Sequence, residues 1–315
     1  SGSNIVFGVK ENNFLGRGIG LNANLNLGTE RIKGKFSVNN PNYQNTNKSL
    51  NFEVSATETD RLKNSGYKTN QTGFSLGTRF EYFDDLYLSL GNSFFYEKLE
   101  TDSTASARQK TQEGDYFDGF IELNFDYDKR NQKFQTTDGF RSSYGVNLPY
   151  VSDSYTLTNT YNYKYFAELY ENNVSSISFL FQSANSLKDD DIKLSERLYM
   201  PSSKLRGFEI GKVGPKDGDY FIGGNFLSAI NINTTVPQIL PNNESTDFLI
   251  FMDIGNVWGV DYDSSLDDEK IRSAIGIGID WFTPIGPLNF SLAQPLSKSS
   301  NDKTESFRFN LGTTF

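Results

Sequence analysis

The sequence predicts an all-β fold, a transmembrane antiparallel up-and-down β-barrel, on three observations. Long segments alternate apolar and polar residues with a period of two: Ile121, Leu123, Phe125 and Tyr127 fall on one face, Glu122, Asn124, Asp126 and Asp128 on the other. Apolar residues make up only 36% of the chain, yet aromatics reach 15%, with 27 Phe and 17 Tyr. A soluble core with that many rings would carry more Leu, Ile and Val beside them, whereas a barrel wall needs apolar side chains only towards lipid. The connections also alternate between a mostly tight set and a set with long polar runs, the asymmetry of periplasmic turns and outside loops.

Taken in order, strands are expected near 3–11, 17–28, 30–40, 49–60, 70–80, 85–97, 116–128, 139–149, 155–170, 174–186, 220–235, 246–259, 271–283, 287–297 and 304–315. Each is a run with period-two alternation bounded by turn residues, and no helical period competes over a long window. The tight set includes Glu11-Asn12-Asn13, Tyr82-Phe83-Asp84-Asp85, Glu171-Asn172-Asn173 and Thr283-Pro284-Ile285-Gly286. The long set includes 98–115, 187–219 and 260–270, while two inner connections, 129–138 and 236–245, are longer than the rule suggests. At the C-terminus Phe307, Phe309, Leu311 and Phe315 oppose Arg308, Asn310 and Gly312. No linker divides the chain, so residues 1–315 are expected to form one barrel domain. A soluble sandwich with one wet face is the competing reading, but so many consecutive hairpins would leave open edges that a soluble sheet must protect.

Composition narrows the chemistry. No stretch approaches 18 consecutive apolar residues, so transmembrane helices are not expected. The chain has no Cys and no His, which removes thiolate chemistry and the commonest general base and metal ligand. A net charge of −9 argues against nucleic acid as a partner. Asp189-Asp190-Asp191 and Asp267-Asp268-Glu269 could in principle bind a cation, but in outside loops such runs read as solvated faces. No enzyme activity, metal or cofactor is expected.

The segment from about Leu187 to Asp219 is too long for a plain connection. It holds Leu205-Arg206-Gly207-Phe208 and then Gly211, Gly214 and Pro215, a set that describes a fixed backbone tip. Downstream stand Phe251-Met252-Asp253-Ile254-Gly255, then Trp281-Phe282-Thr283-Pro284-Ile285-Gly286-Pro287-Leu288, and finally Phe307-Arg308-Phe309-Asn310-Leu311-Gly312-Thr313-Thr314-Phe315. In that order the set resembles the BamA family of outer-membrane protein-assembly (insertase) barrels, over nearly the whole chain. The resemblance implies 16 strands, of which about 15 are visible here; the family's first strand and its periplasmic modules would then lie upstream of Ser1. It also implies that the loop folds back into the lumen and that Arg206 reaches a carboxylate on a neighbouring strand, for which Asp253 is the match. Parity places Asp253 on one face with Phe251, Gly255 and Val257. A second acidic position of the family falls on Asn233.

What the family does becomes the functional expectation: an insertase that folds β-barrel proteins into the bacterial outer membrane through a seam between first and last strands. Its partners would be outer-membrane lipid, unfolded β-barrel substrates and accessory lipoprotein subunits. At the seam, Phe307, Phe309, Leu311 and Phe315 would face lipid in a narrow apolar band, and Gly312 would let the last strand bend inward. A passive outer-membrane porin and a two-partner-secretion pore are the alternatives, and spacing alone does not separate the relatives within the superfamily.

Overall fold

In hydrocarbon, each unpaired backbone N–H or C=O costs several kcal/mol, so a membrane strand must pair along its length on both sides. The computed structural model, described for residues 4–239, 245–283 and 286–311, answers this with a single antiparallel sheet of 15 strands. They are β1 (Asn4–Phe14), β2 (Ile19–Gly28), β3 (Arg31–Asn40), β4 (Ser49–Arg61), β5 (Tyr67–Phe83), β6 (Leu86–Thr101), β7 (Gly114–Asp128), β8 (Gly139–Ser152), β9 (Thr156–Tyr170) and β10 (Asn173–Ser186), then β13 (Phe226–Thr235), β14 (Thr246–Trp258), β15 (Arg272–Thr283), β16 (Gly286–Ser297) and β17 (Phe307–Leu311). Two short strands, β11 (Lys216–Asp217) and β12 (Tyr220–Phe221), form a separate ribbon within the long loop. Sequential strands are neighbours throughout the main sheet, with β10 passing to β13, so its topology is up-and-down. Among the described residues, β1 and β17 are its two edges.

All 15 strands expected from the sequence are found, with shifts at their ends. The main difference lies at 220–225. Tyr220 and Phe221 alternate like a strand start, but they pair with Asp217 and Lys216, and the wall resumes only at Phe226. The long loop therefore runs through residue 225. At the opposite end of the barrel, β5–β6 and β9–β10 turn in two residues each, with Asp85 and Asn172 in the left-handed region (φ 64° and 59°) that such tight hairpins demand.

The pleat sorts the side chains as the alternation requires. Ile250, Ile275, Ile277, Leu292, Phe307 and Phe309 are exposed on the outer face, whereas Phe251, Asp253, Arg272, Ala274 and Arg308 are buried on the inner one. Register keeps the faces aligned across strands: Leu292 stands opposite Phe307 and Phe290 opposite Phe309, while Ser291 stands opposite Arg308. The side chain of Leu311 and residues 312–315, which include Gly312 and Phe315, lie outside the described residues.

The inner face near β15 is built from small residues for a reason. At Gly276, an added Cβ would sit 2.4 Å from Cζ of Phe251 and 2.3 Å from the Leu292 carbonyl. Gly276→Val is therefore expected to displace the Phe251 ring and cost roughly 1–3 kcal/mol through overpacking. A lower unfolding temperature on semi-native gels would register it; an unchanged one would show that the ring has room to move.

Candidate functional site

The long loop turns into the lumen, and its tip is buried against the inner face of the wall. Leu205 and Phe208 are 2% and 1% exposed, packed in one cluster with Leu180, Met200, Val213, Leu227, Ala229, Val257 and Ala274. Apolar loop residues thus meet small and apolar residues of β10 and β13–β15 at a level where water would otherwise fill the barrel. Gly207 (φ 93°) makes the approach possible: its missing Cβ would fall 3.1 Å from Ala293 Cβ and 3.3 Å from Ala274 Cβ. Any side chain there would be strained in the backbone and blocked by the wall. Gly255 plays a similar part on β14, where an added Cβ would meet Met200 Cε at 2.8 Å.

Arg206 is held by β14 through a two-pronged ion pair. Its Nε donates to Asp253 Oδ2 at 2.7 Å and a terminal nitrogen donates to Oδ1 at 2.7 Å, while its backbone N–H also reaches Oδ2 at 2.9 Å. Asp253 has no exposed surface and takes one more bond, from Asn231 Nδ2 at 2.8 Å. A buried carboxylate needs such saturation, because its lone pairs have lost water. The guanidinium lies over the Phe251 ring, 3.4 Å from its centroid. Planarity serves both contacts, since the ring takes the flat face while the edge donates the fork. Asn233 completes the set by accepting from Arg206 at 2.8 Å. It does as a neutral acceptor what the family resemblance assigns to an acid, so one guanidinium faces one carboxylate and the charges balance.

Contacts that sequence reasoning missed surround this pair. Residues of the 298–306 connection add to the tip like a short strand: Phe208 bridges Thr304, Glu209 N–H donates to the Lys303 carbonyl at 2.9 Å, and Glu305 N–H donates to the Gly207 carbonyl at 3.1 Å. That connection is fixed in turn by Arg272, whose Nε donates to Asp302 at 2.9 Å and which also binds Asp268 at 2.6 Å, with no surface exposed. Arg308 on β17 donates to the carbonyls of Ser202 and Phe208, on either side of Arg206.

The start of the same loop is anchored across the barrel. Lys193 Nζ binds Asp118 on β7 at 2.6 Å and Glu97 on β6 at 3.1 Å, and lies 3.6 Å from Glu196. Burial works against the Lys193 charge, yet Glu196, Glu97 and Asp118 around it hold its pKa above the ordinary lysine value. Glu196 is pushed above the usual carboxylate range because its burial outweighs the help of Lys193 and of Thr156, which donates at 2.5 Å. Arg197 then ties the loop to Asp261 at 2.7 Å. No single motif in the sequence marks these partners, which come together only through the curvature of the sheet.

Two expectations follow. Arg206→Ala leaves Asp253 buried without a cation and should weaken loop docking by about 3 kcal/mol, with Arg206→Lys recovering only part because an ammonium lacks the fork. Faster amide exchange across 199–212 with an intact barrel would register it. Lys193→Met should free the start of the loop, and more at pH 8 than at pH 5. A carboxyl whose folded pKa is raised binds more protons when docked, so docking weakens as pH rises above about 4.5, its ordinary value. Protease cleavage within 187–197 at the two pH values measures this, and equal cleavage would refute it.

Comparison with known proteins gives this geometry a family. The Omp85 superfamily domain matches residues 13–315. Two curated relatives bear the name outer membrane protein assembly factor BamA. The one from Neorickettsia risticii (strain Illinois) is 23% identical over 260 residues, covering 80% of this chain and 35% of its own length. The one from Neisseria meningitidis serogroup B is 32% identical over 139 residues, covering 35% of this chain and 17% of its own length. The chain thus spans about a third or less of the length of these relatives. Among solved structures, BamA from Haemophilus ducreyi lacking POTRA domains 1–3 superposes with a TM-score of 0.89 at 21% identity, over 98% of this chain and 69% of that one. CdiB from Acinetobacter baumannii gives 0.62 at 11% identity, over 98% and 56%. The fold is that of an outer-membrane BamA barrel, and the chain belongs to the Omp85 superfamily.

Proposed function

We propose that this barrel is the membrane part of an insertase that folds β-barrel proteins into the bacterial outer membrane through a lateral seam between its first and last strands. The observation that carries the reading is the docking of the Leu205–Phe208 tip in the lumen against β14–β17, beside one edge of the sheet. A passive porin needs an open lumen, whereas here the loop brings buried apolar side chains into it.

The proposed work is non-enzymatic and needs no cofactor. An unpaired strand edge in lipid is costly, and an incoming unfolded strand removes that cost by adding to the edge through backbone hydrogen bonds. Partial pairing at the seam lowers the barrier to opening, at about 1 kcal/mol net for each bond that water can replace. Outer-membrane lipid, unfolded barrel proteins and accessory lipoprotein subunits are the proposed partners. Phe307 and Phe309 would contribute the lipid-facing band on the last strand.

A disulfide tests the seam directly, since the chain contributes no Cys of its own. In the full-length protein, a cysteine pair joining β17 to the first strand should abolish insertion of a substrate barrel when oxidised and restore it on reduction. Insertion that proceeds equally in both states would falsify the seam mechanism.

A further inference from the structure

The side chain that connects the lumenal tip to the edge of the sheet is Arg308. It stands on β17 between Phe307 and Phe309, which face outward at 53% and 42% exposure, and is itself 3% exposed. Its two terminal nitrogens donate to the backbone carbonyls of Ser202 and Phe208. These carbonyls bracket Arg206, so the tip is gripped from two directions: by the Asp253 carboxylate on β14 and by the Arg308 guanidinium on β17. We propose that Arg308 is a positioning residue that makes undocking of the tip and release of the last strand a single event. The proposal rests on the insertase reading for its role in the reaction, but the physical coupling stands apart from it.

Three features set this contact apart from ordinary packing. Its acceptors are main-chain oxygens, so the grip depends on the path of the loop and not on which side chains the loop carries. Among the described residues, the carboxylate bonded to Arg308 is that of Glu305, at 3.4 Å, and Nε has no acceptor. Burying a guanidinium with such incomplete compensation stabilises poorly, and an uncharged residue would serve a purely structural wall better. Finally, the tip also carries the 298–306 connection as an added strand, through Phe208 with Thr304 and through Lys303 N–H to the Lys212 carbonyl at 3.1 Å. The segment leading into β17 therefore moves with the tip, and Arg308 extends that linkage onto the strand itself. If the tip withdraws, β17 loses its hold on the lumenal side and, among the described residues, is left with its ladder to β16, from Leu288–Leu311 to Leu292–Phe307.

The test uses the full-length protein in lipid nanodiscs or proteoliposomes, with Arg308→Gln, Arg308→Lys, Arg206→Ala and the Arg308→Gln/Arg206→Ala double variant. Heat-modifiable migration first establishes that each barrel is folded. Amide exchange followed by mass spectrometry then reads the tip (199–212) and the last strand (307–311) without reference to activity. Arg308→Gln is expected to speed exchange in both segments together, roughly tenfold, with Arg308→Lys intermediate. In substrate insertion, the double variant should be no slower than the worse single one, because both substitutions release the same tip. Exchange that rises in β17 alone, or in neither segment, overturns the coupling, as does an additive double variant. Should Arg308→Gln fail to fold, the same exchange pattern in Arg308→Lys decides the matter. Coupled exchange with unchanged insertion overturns the role in the reaction if the seam disulfide still blocks insertion. If insertion is insensitive to both, the insertase reading itself falls.

Discussion

Backbone pairing in a medium without water is the constraint on which the rest of this structure depends. It requires every wall segment to be a strand paired along its length, and it fixes the side-chain period at two. Once that period is set, a residue's position along its strand decides whether it meets lipid or lumen. Charged residues such as Asp253, Arg272 and Arg308 then have one acceptable direction, and all are buried on the inner face. The long loop follows from this sorting. A wall that sends ionic groups inward must supply them with partners, and residues 187–225 provide many of these.

The loop meets that need with a balanced set of charges. Arg206 meets one carboxylate and two neutral groups, the Phe251 ring and the Asn233 amide. Lys193, by contrast, is surrounded by three carboxylates, and burial raises the pKa of one of them, Glu196. The two anchors therefore differ in kind. One is a fork fitted to a plane, specific in geometry and nearly neutral as a group. The other is a point charge in an acidic setting, less demanding in geometry and more sensitive to proton activity. A single loop joins them, so a change at one wall is transmitted to the other through its backbone.

Much of this was legible in the sequence because strand parity is local. The strand series and the face that Asp253 shares with Gly255 and Val257 could be read from alternation, and the family resemblance supplied the lumenal placement and Arg206 as its partner. The distant anchors could not be read. Lys193 meets Glu97 and Asp118 across 96 and 75 residues with no motif at either end, and Arg308 meets Phe208 across 100, two motif residues whose contact the spacing does not reveal. Asn233 was noticed as the place where an acid was missing; its role as an amide acceptor depends on the rotamer of Arg206, which spacing does not encode. Tyr220 and Phe221 misled in the other direction, because alternation alone cannot say which strand a strand-like pair will join.

The parity of these anchors also bears on how the barrel reaches its final form. Sliding β14 or β17 by one residue against its neighbour would turn Asp253 or Arg308 out towards lipid and bring an apolar residue inward. The hydrogen-bonded ladder alone would tolerate the slip, since backbone groups carry no sequence information. The loop would not tolerate it, because its tip requires a carboxylate on one strand and a guanidinium on another, both on the same side of the wall. Docking of the tip thus serves as a checksum on the wall's own assembly, closing only when strands far apart in sequence have all settled in their proper frame.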